Sequence, residues 1–462
     1  MKTLSLALRN LLRNRRRSLT TMFAMVIGAM TILLFGGYSR DITYGLQTGF
    51  VIRGGHLQIQ RKDFFLYGSG NPAAYGIPDY QHVIDVVKQD PILAPMLKVV
   101  TPTLSLGGIA GNFAAGVSRT VIGSGVVVED RNRMRQWNDY RLRINLLPSA
   151  LTGTPMDAVV IGRGVARVLE LCEPLAVADC PPHAKIQVEG GASAPPDISE
   201  LAALESRPAA VKGDTRIELL AANAHGAPNV ASLRAIKAEP QGIKELDDMF
   251  IGMHLAQAQR LLYGTDKPQV TAVVMQLDHT NQIPAAKARL AELLATTLKN
   301  SPLEVQDFET LNPFYGQALA MFGAIFGFIA VLIGAIVLFT VGNTMSMAVM
   351  ERTTEIGTLR AMGLRRAGIR RLFVCEGLML GLIGAVVGVL MSLVIAWGIN
   401  NSGLTWLPPG QVDPVPLTVR VWGETRLIFG TAFGLAVIAM ISAWLPARRA
   451  ANMQIVDALR HV

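Results

Sequence analysis

Residues 311–366 read LNPFYGQALAMFGAIFGFIAVLIGAIVLFTVGNTMSMAVMERTTEIGTLRAMGLRR. No charge occurs from 311 to 350, and then Glu351, Arg352, Glu355, Arg360, Arg365 and Arg366 arrive together. A bilayer core of ~30 Å takes roughly 20 apolar helical residues. The run is therefore long enough to span and to protrude, and the charges mark where it reaches water. Three further runs carry no charge, at 19–37, 377–412 and 427–447, and Pro408, Pro409 and Gly410 mark a loop inside the third. Half of the 462 residues are apolar and 17% are charged, with a mean hydropathy of +0.35. Soluble proteins carry about 25% charged residues, and four buried helices of a soluble enzyme do not account for four such runs.

Charge orients the spans. Lys2, Arg9, Arg13, Arg15, Arg16 and Arg17 precede the first run without an acid. Arg352, Arg360, Arg365, Arg366, Arg370 and Arg371 lie between the second and third, and Arg448, Arg449 and Arg460 follow the fourth. Short basic loops stay in the cytoplasm, so four spans give an N-in, C-in topology. With these segments removed, 28 basic and 30 acidic residues remain. The net charge of +9 thus reflects topology and anionic lipid headgroups, and no nucleic-acid partner is expected.

The expected fold is a membrane α-helical protein with four transmembrane helices and a large extracytoplasmic α+β domain between helices 1 and 2. The divisions run 1–17, an amphipathic N-terminal helix with Leu4, Leu8, Leu11 and Leu12 on one face, or simply a basic flank; 18–38, helix 1, an uncleaved anchor rather than a signal peptide; and 39–312, the outer domain. They continue with 313–348, helix 2 with an outward extension; 349–372, a cytoplasmic loop; 373–398, helix 3; 399–425, a short outer loop; 426–447, helix 4; and 448–462, a cytoplasmic tail. In the outer domain, 101–105, 121–128, 158–161 and 270–277 read as strands, and 81–88, 162–171, 253–263 and 283–298 as helices. Residues 181–240, rich in Ala, Gly and Pro, read as strand and loop without clear limits.

Catalytic chemistry is not visible. Gly111-x4-Gly116 is followed by Val117 and Ser118, without the lysine a phosphate-binding loop needs. No H-E-x-x-H or G-x-S-x-G occurs. Glu376, at the start of the third span, is the nearest approach to an intramembrane acid, which disfavours an ion-driven carrier. Cys172 and Cys180 lie eight positions apart in the outer domain and are either a disulfide or free thiols, since only His183 is near enough to suggest a metal.

The segment Glu351-Arg352-Thr353-Thr354-Glu355-Ile356-Gly357-Thr358-Leu359-Arg360-Ala361-Met362-Gly363, then Glu376-Gly377, Gly381, Gly384 and Gly388, resembles the signature of the FtsX/MacB superfamily of ABC permeases. Its form there is E-R-x-x-E-I-G-x-L-R-A-x-G, then E-G-x-x-x-G-x-x-G-x-x-x-G. Pro446-Ala447-Arg448-Arg449-Ala450-Ala451 and Val456-Asp457-Ala458-Leu459-Arg460 resemble its closing motif, with Ile455 where proline is usual and Asp457 for Glu. Ala7-Leu8-Arg9-Asn10-Leu11-Leu12-Arg13-Asn14 resembles its opening. Gly54-Gly55-His56-Leu57-Gln58-Ile59 and Asp248-Met249-Phe250-Ile251 with 256–262 look like the lipoprotein-releasing (LolC/LolE-like) type.

The resemblance implies a non-catalytic subunit without cofactors of its own, ATP and Mg being bound by two copies of an ABC ATPase. It implies a second permease copy or paralogue, contact with membrane lipids, and a periplasmic carrier or lipoprotein as a further partner. It places a coupling helix at Glu351, Arg352, Glu355, Ile356, Leu359 and Arg360, where the bland alternative is a solvated basic loop. Glycine pairs Gly323/Gly327, Gly377/Gly381, Gly384/Gly388 and Gly430/Gly434 are expected to pack helices closely. Leu33, Leu34, Phe35, Phe322, Ile325 and Phe326 are at the depth to line an apolar cargo gap between spans one and two, or else to pack or face lipid. The function expected is coupling of ATP hydrolysis to outer-domain motion that releases a lipoprotein or other amphiphile. The alternatives are a MacB-like efflux permease and an FtsX-like transducer that moves no substrate.

Overall fold

A computed structural model describes residues 9, 15–68, 70–143, 147–178, 180, 214–408 and 411–455, with side chains from 18 onward except at Arg9. The expected helix over 1–17, most of 181–240, Pro409, Gly410 and the tail beyond 455 fall wholly or largely outside these residues.

The order is α1 (Arg15–Gly54), β1 (Leu57–Arg61), β2 (Leu97–Asn112), β3 (Val117–Val126), β4 (Ala158–Ile161), β5 (Arg216–Ala222), β6 (Pro228–Ala238), β7 (Phe250–His254), β8 (Ala272–Leu277), β9 (Leu303–Asp307), α2 (Pro313–Glu351), α3 (Thr353–Ala361), α4 (Arg366–Asn401) and α5 (Thr425–Asn452). Shorter helices are named by their ranges. The chain divides into two units. One holds residues 1–45, 314–406 and 415–462, the other 46–313 and 407–414.

The helical unit is built on four helices long and apolar enough to cross a membrane: Ser18–Gly54 within α1, then α2, α4 and α5. Their cores meet along Met25, Ala29, Ile333, Val337, Val341, Met345, Leu380, Leu435, Ala439 and Ala443. On α2 these positions recur every four residues, one face of a helix. A hydroxyl pair, Thr21 and Thr344, joins α1 to α2 at 2.7 Å. Polar contacts of this kind hold helices together where lipid offers no hydrophobic drive.

Helix α1 does not stop at 38. It continues through Arg40 and Asp41 to Gly54 without a break. The charges end the apolar run but not the hydrogen-bond ladder, so the helix ends sixteen residues later than expected. At 1.5 Å per residue α1 and α2 are each about 60 Å long, twice the bilayer core.

The second unit is organised by a nine-stranded sheet, β3-β7-β4-β6-β5-β2-β8-β1-β9, in which β2 also pairs with β3. That last pairing closes β2, β3, β7, β4, β6 and β5 into a ring. The sixteen-residue β2 makes this possible: its first half pairs with β8, and its second half lies between β3 and β5. Leu104, Leu106, Val121, Val159, Ile161, Ile217, Leu219, Leu233, Ile251 and Met253 share one core with Ala258, Leu261 and Leu262 of the helix Leu255–Tyr263. Gly111 and Gly116 belong to the β2–β3 hairpin, with Gly116 at φ 69°, so the phosphate-loop-like string is a turn.

Within this unit the strand 158–161 and the helix starting at 283 stand where the sequence places them. Val128, expected to end the strand 121–128, instead begins the helix Val128–Arg135. The loop between the third and fourth spans joins this unit through its tip: Val412 N–H donates to Gly242 O at 3.2 Å, and Arg163 Nη1 donates to Asp413 Oδ1 at 2.7 Å.

Candidate functional site

The junction after α2 is built by its own sequence. Arg352 leaves helical geometry (φ −110°, ψ 20°), and Thr353 Oγ1 turns back to donate to Met350 O at 2.7 Å. Helix α3 then runs for nine residues. Gly363, at φ 94°, ends it: Gly363 N–H donates to Arg360 O and Leu364 N–H to Leu359 O, both at 3.0 Å. This is a Schellman cap, in which glycine takes the left-handed position without steric cost.

The six residues expected to face an ATPase divide between two environments. Arg352 is buried, its side chain 9% exposed. Its Nε donates to Glu355 Oε2 at 2.9 Å and its Nη1 to Glu376 Oε1 at 3.1 Å, with Glu376 only 4% exposed. The guanidinium also lies 5.7 Å from the centre of the Phe373 ring. Ile356 is buried with Val349, Ile369, Phe373, Ala447 and Ala450, and Leu359 packs on that cluster. Arg360 donates to Met453 O at the end of α5. Of the six, Arg352, Ile356, Leu359 and Arg360 turn towards the chain's own bundle, because the i, i+4, i+7 spacing puts them on one face. The outward face of α3 carries Thr354 and Thr358, and beyond it Ala361, Met362 and Leu364 are exposed, as is Glu351. Glu355 is half-buried rather than a free surface acid. The sequence missed Glu376 as the partner of Arg352; its signal was a carboxylate at the end of an otherwise uncharged span.

The glycine pairs also divide. On α4, an added Cβ at Gly377 would meet Ala443 at 2.5 Å and at Gly381 would meet Ala439 at 2.9 Å, both on α5. Gly384 and Gly388 meet Met25 and Ala29 of α1 in the same way. Gly323, Gly327, Gly430 and Gly434 have no neighbouring atom within 4 Å where a side chain would stand. These four do not pack helices within the chain, because α2 and α5 use other faces to meet their neighbours.

Of the residues placed around a cargo gap, Leu33 is fully buried with Ala396, Val419 and Val421, and Leu34 packs at the edge of that cluster. Leu33 therefore turns away from span two, a correction to its expected place. Phe35 stacks on Phe326 with ring centres 6.4 Å apart. Phe322 is half-buried and Ile325 exposed. The pair Phe35–Phe326 is what remains of the expected lining.

In the sheet unit, Gly55 turns the chain from α1 into β1 at φ 71°. His56 is fully buried, its Nδ1 accepting from Leu277 N–H at 3.0 Å, its Nε2 3.2 Å from Thr280 Oγ1, and its ring edge-on to Trp137. Burial pushes its pKa down to about 4, against a smaller opposing pull from Asp139. The Gly54-Gly55-His56 string thus serves a corner of the fold. Cys172 and Cys180 are joined as a disulfide with Cα atoms 6.1 Å apart. Among the described residues no group of three His, Cys, Asp or Glu side chains could hold a metal.

Residues 319–455 match the family model of the FtsX-like permease C-terminal domain. The chain is 27% identical over 244 residues to the lipoprotein-releasing system transmembrane protein LolC of Neisseria meningitidis serogroup B, covering 51% of this chain and 56% of that one. It is 34% identical over 158 residues to the ABC transporter permease YtrF of Bacillus subtilis, covering 33% and 35%. It is 32% identical over 143 residues to the macrolide export ATP-binding/permease protein MacB of Escherichia coli O157:H7, covering 31% and 20%. The matches span at most about half the length of these relatives. The family-model match covers the motif-bearing helices whose geometry is given above: residues 319–455 are an FtsX-like permease C-terminal domain, and the chain is a membrane protein similar to the ABC permeases of the FtsX/MacB superfamily.

Proposed function

We propose that this chain is a non-catalytic permease subunit in a bacterial inner membrane, with both termini in the cytoplasm and the sheet unit in the periplasm. Two copies, or one with a paralogue, would bind two ABC ATPase subunits through α3. ATP-driven closure of those subunits would move the helices and, through them, the sheet unit, releasing a lipoprotein or another amphiphile from the outer leaflet to a periplasmic carrier. The observation that carries this is the construction of α3. It is a nine-residue helix capped at Gly363, seated on the bundle by Ile356 and Leu359, and left with Thr354 and Thr358 facing outward. A solvated loop has no need of such seating.

The alternatives share that coupling step: an efflux permease, or a transducer that moves no substrate. The resemblance to LolC, which is named for lipoprotein release, favours extraction. The test is co-purification. Thr354→Lys with Thr358→Glu changes only the outward face of α3, so the variant should insert normally and lose the ABC ATPase that co-purifies with the parent chain. Undiminished recovery of that ATPase would overturn the assignment of α3.

A further inference from the structure

Arg352 is the single residue outside helical geometry between α2 and α3, and its guanidinium is shared by two helices. Glu355 lies one turn into α3, while Phe373 and Glu376 lie nearly one turn apart on α4. Two hydrogen bonds and a ring contact fix the same buried cation in one orientation. A buried charge held this way has no second favourable arrangement nearby, whereas apolar side chains can slide and repack. Two to three turns further along α4, Gly384 and Gly388 bring its backbone against Met25 and Ala29 of α1, with no side chain on α4 at either contact to absorb a shift. The connection of α3 to α2 runs through a break in the helix, spanned by the Thr353 hydroxyl on Met350 O and by the packing of Ile356 on Val349 but, among the described residues, by no ion pair shown between the two helices.

We propose that Arg352 and Glu376 form a positioning joint that locks α3 to α4, so that a displacement of α3 passes to the third span and, through Gly384 and Gly388, to the first. This deepens the proposed function and rests on α3 being the helix that receives the ATPase's motion. It makes the third span, rather than the second that runs directly into α3 in sequence, the first element to respond. Glu376 is then no stray acid at a membrane boundary but the residue that holds the motif Arg352 in register.

The experiment uses the full chain in lipid nanodiscs, with Cys375→Ser to remove the one free thiol among the described residues, and spin labels at Thr358→Cys on α3 and Leu390→Cys on α4. Both labelled positions are exposed. Pulsed electron resonance of this parent should give a single narrow distance peak, and Glu376→Gln should lose it. Because a lone buried arginine could unfold the region, Arg352→Met with Glu376→Leu is measured beside it; this pair leaves no buried charge and should fold with a parental melting temperature, yet still lack the narrow peak. A narrow peak in either variant overturns the joint, since packing alone would then hold α3. No ATPase is present in the measurement. A failure of α3 to bind the ATPase, read from co-purification, is therefore distinguishable from a failure of the joint.

Discussion

Gly388 of α4 lies so close to Ala29 of α1 that a Cβ built on the glycine would stand 2.5 Å from the alanine Cβ. Gly323 of α2, in the same motif spacing with Gly327, has open space at that point. Gly388→Leu should therefore overpack the bundle and cost about 1–3 kcal/mol or more, whereas Gly323→Leu should stay within about 0.5 kcal/mol. Thermal unfolding of the two variants in the same detergent compares them directly. Equal losses would show that Gly323 is covered in the assembled protein.

His56 predicts a pH dependence with a definite sign. Its folded pKa of about 4 lies below the ordinary 6.5, so the unfolded chain binds the proton first. The stability it contributes, ~3 kcal/mol, is full above pH 6.5. It declines as pH falls below that and is lost as pH passes about 4. Protonated His56 cannot accept from Leu277 N–H. Hydrogen exchange of a peptide covering 270–278 should accelerate on acidification relative to one covering β5 and β6, and His56→Gln should remove the difference.

The Cys172–Cys180 bond closes a short loop, so its contribution in the chain-entropy model is modest, ~2–3 kcal/mol. Non-reducing peptide mapping of the purified chain should recover 172 and 180 in one linked fragment. Recovery of both as alkylated free thiols would contradict the pairing.

The Phe35–Phe326 stack closes α1 against α2 on the apolar surface proposed to meet cargo. Phe326→Asp should abolish amphiphile release while basal ATP hydrolysis by the assembled complex continues. Release at the parental rate would remove this surface from the mechanism.

The four spans and α3 were legible because membrane insertion demands uninterrupted apolar length, and the charges after Met350 break it sharply. The same signal misplaced the end of α1. Arg40 and Asp41 ended the apolar run, and nothing in the pattern distinguished the end of that run from the end of the helix. Strand β4 was readable as Ala-Val-Val-Ile, buried throughout. Strands β5 and β6, RIELLAA and PNVASLRAIKA, alternate in burial but contain few β-branched residues, so composition hid what register later fixed. At the candidate site the motif named the residues but not which way they face. Helical spacing places Arg352, Ile356 and Leu359 on one side, yet only the packing of α4 and α5 shows that side to be inward.

Strands β1 and β9 are antiparallel neighbours, with Leu57 opposite Asp307 and Arg61 opposite Leu303. The chain enters the sheet on one and departs on the other, so everything from 57 to 307 begins and ends at a single pair of facing residues. A segment of that kind is a cassette. It can be enlarged or exchanged by matching that junction and the two hydrogen bonds that Val412 and Asp413 make to the segment, in the way that inserted domains with adjacent termini are tolerated by their hosts.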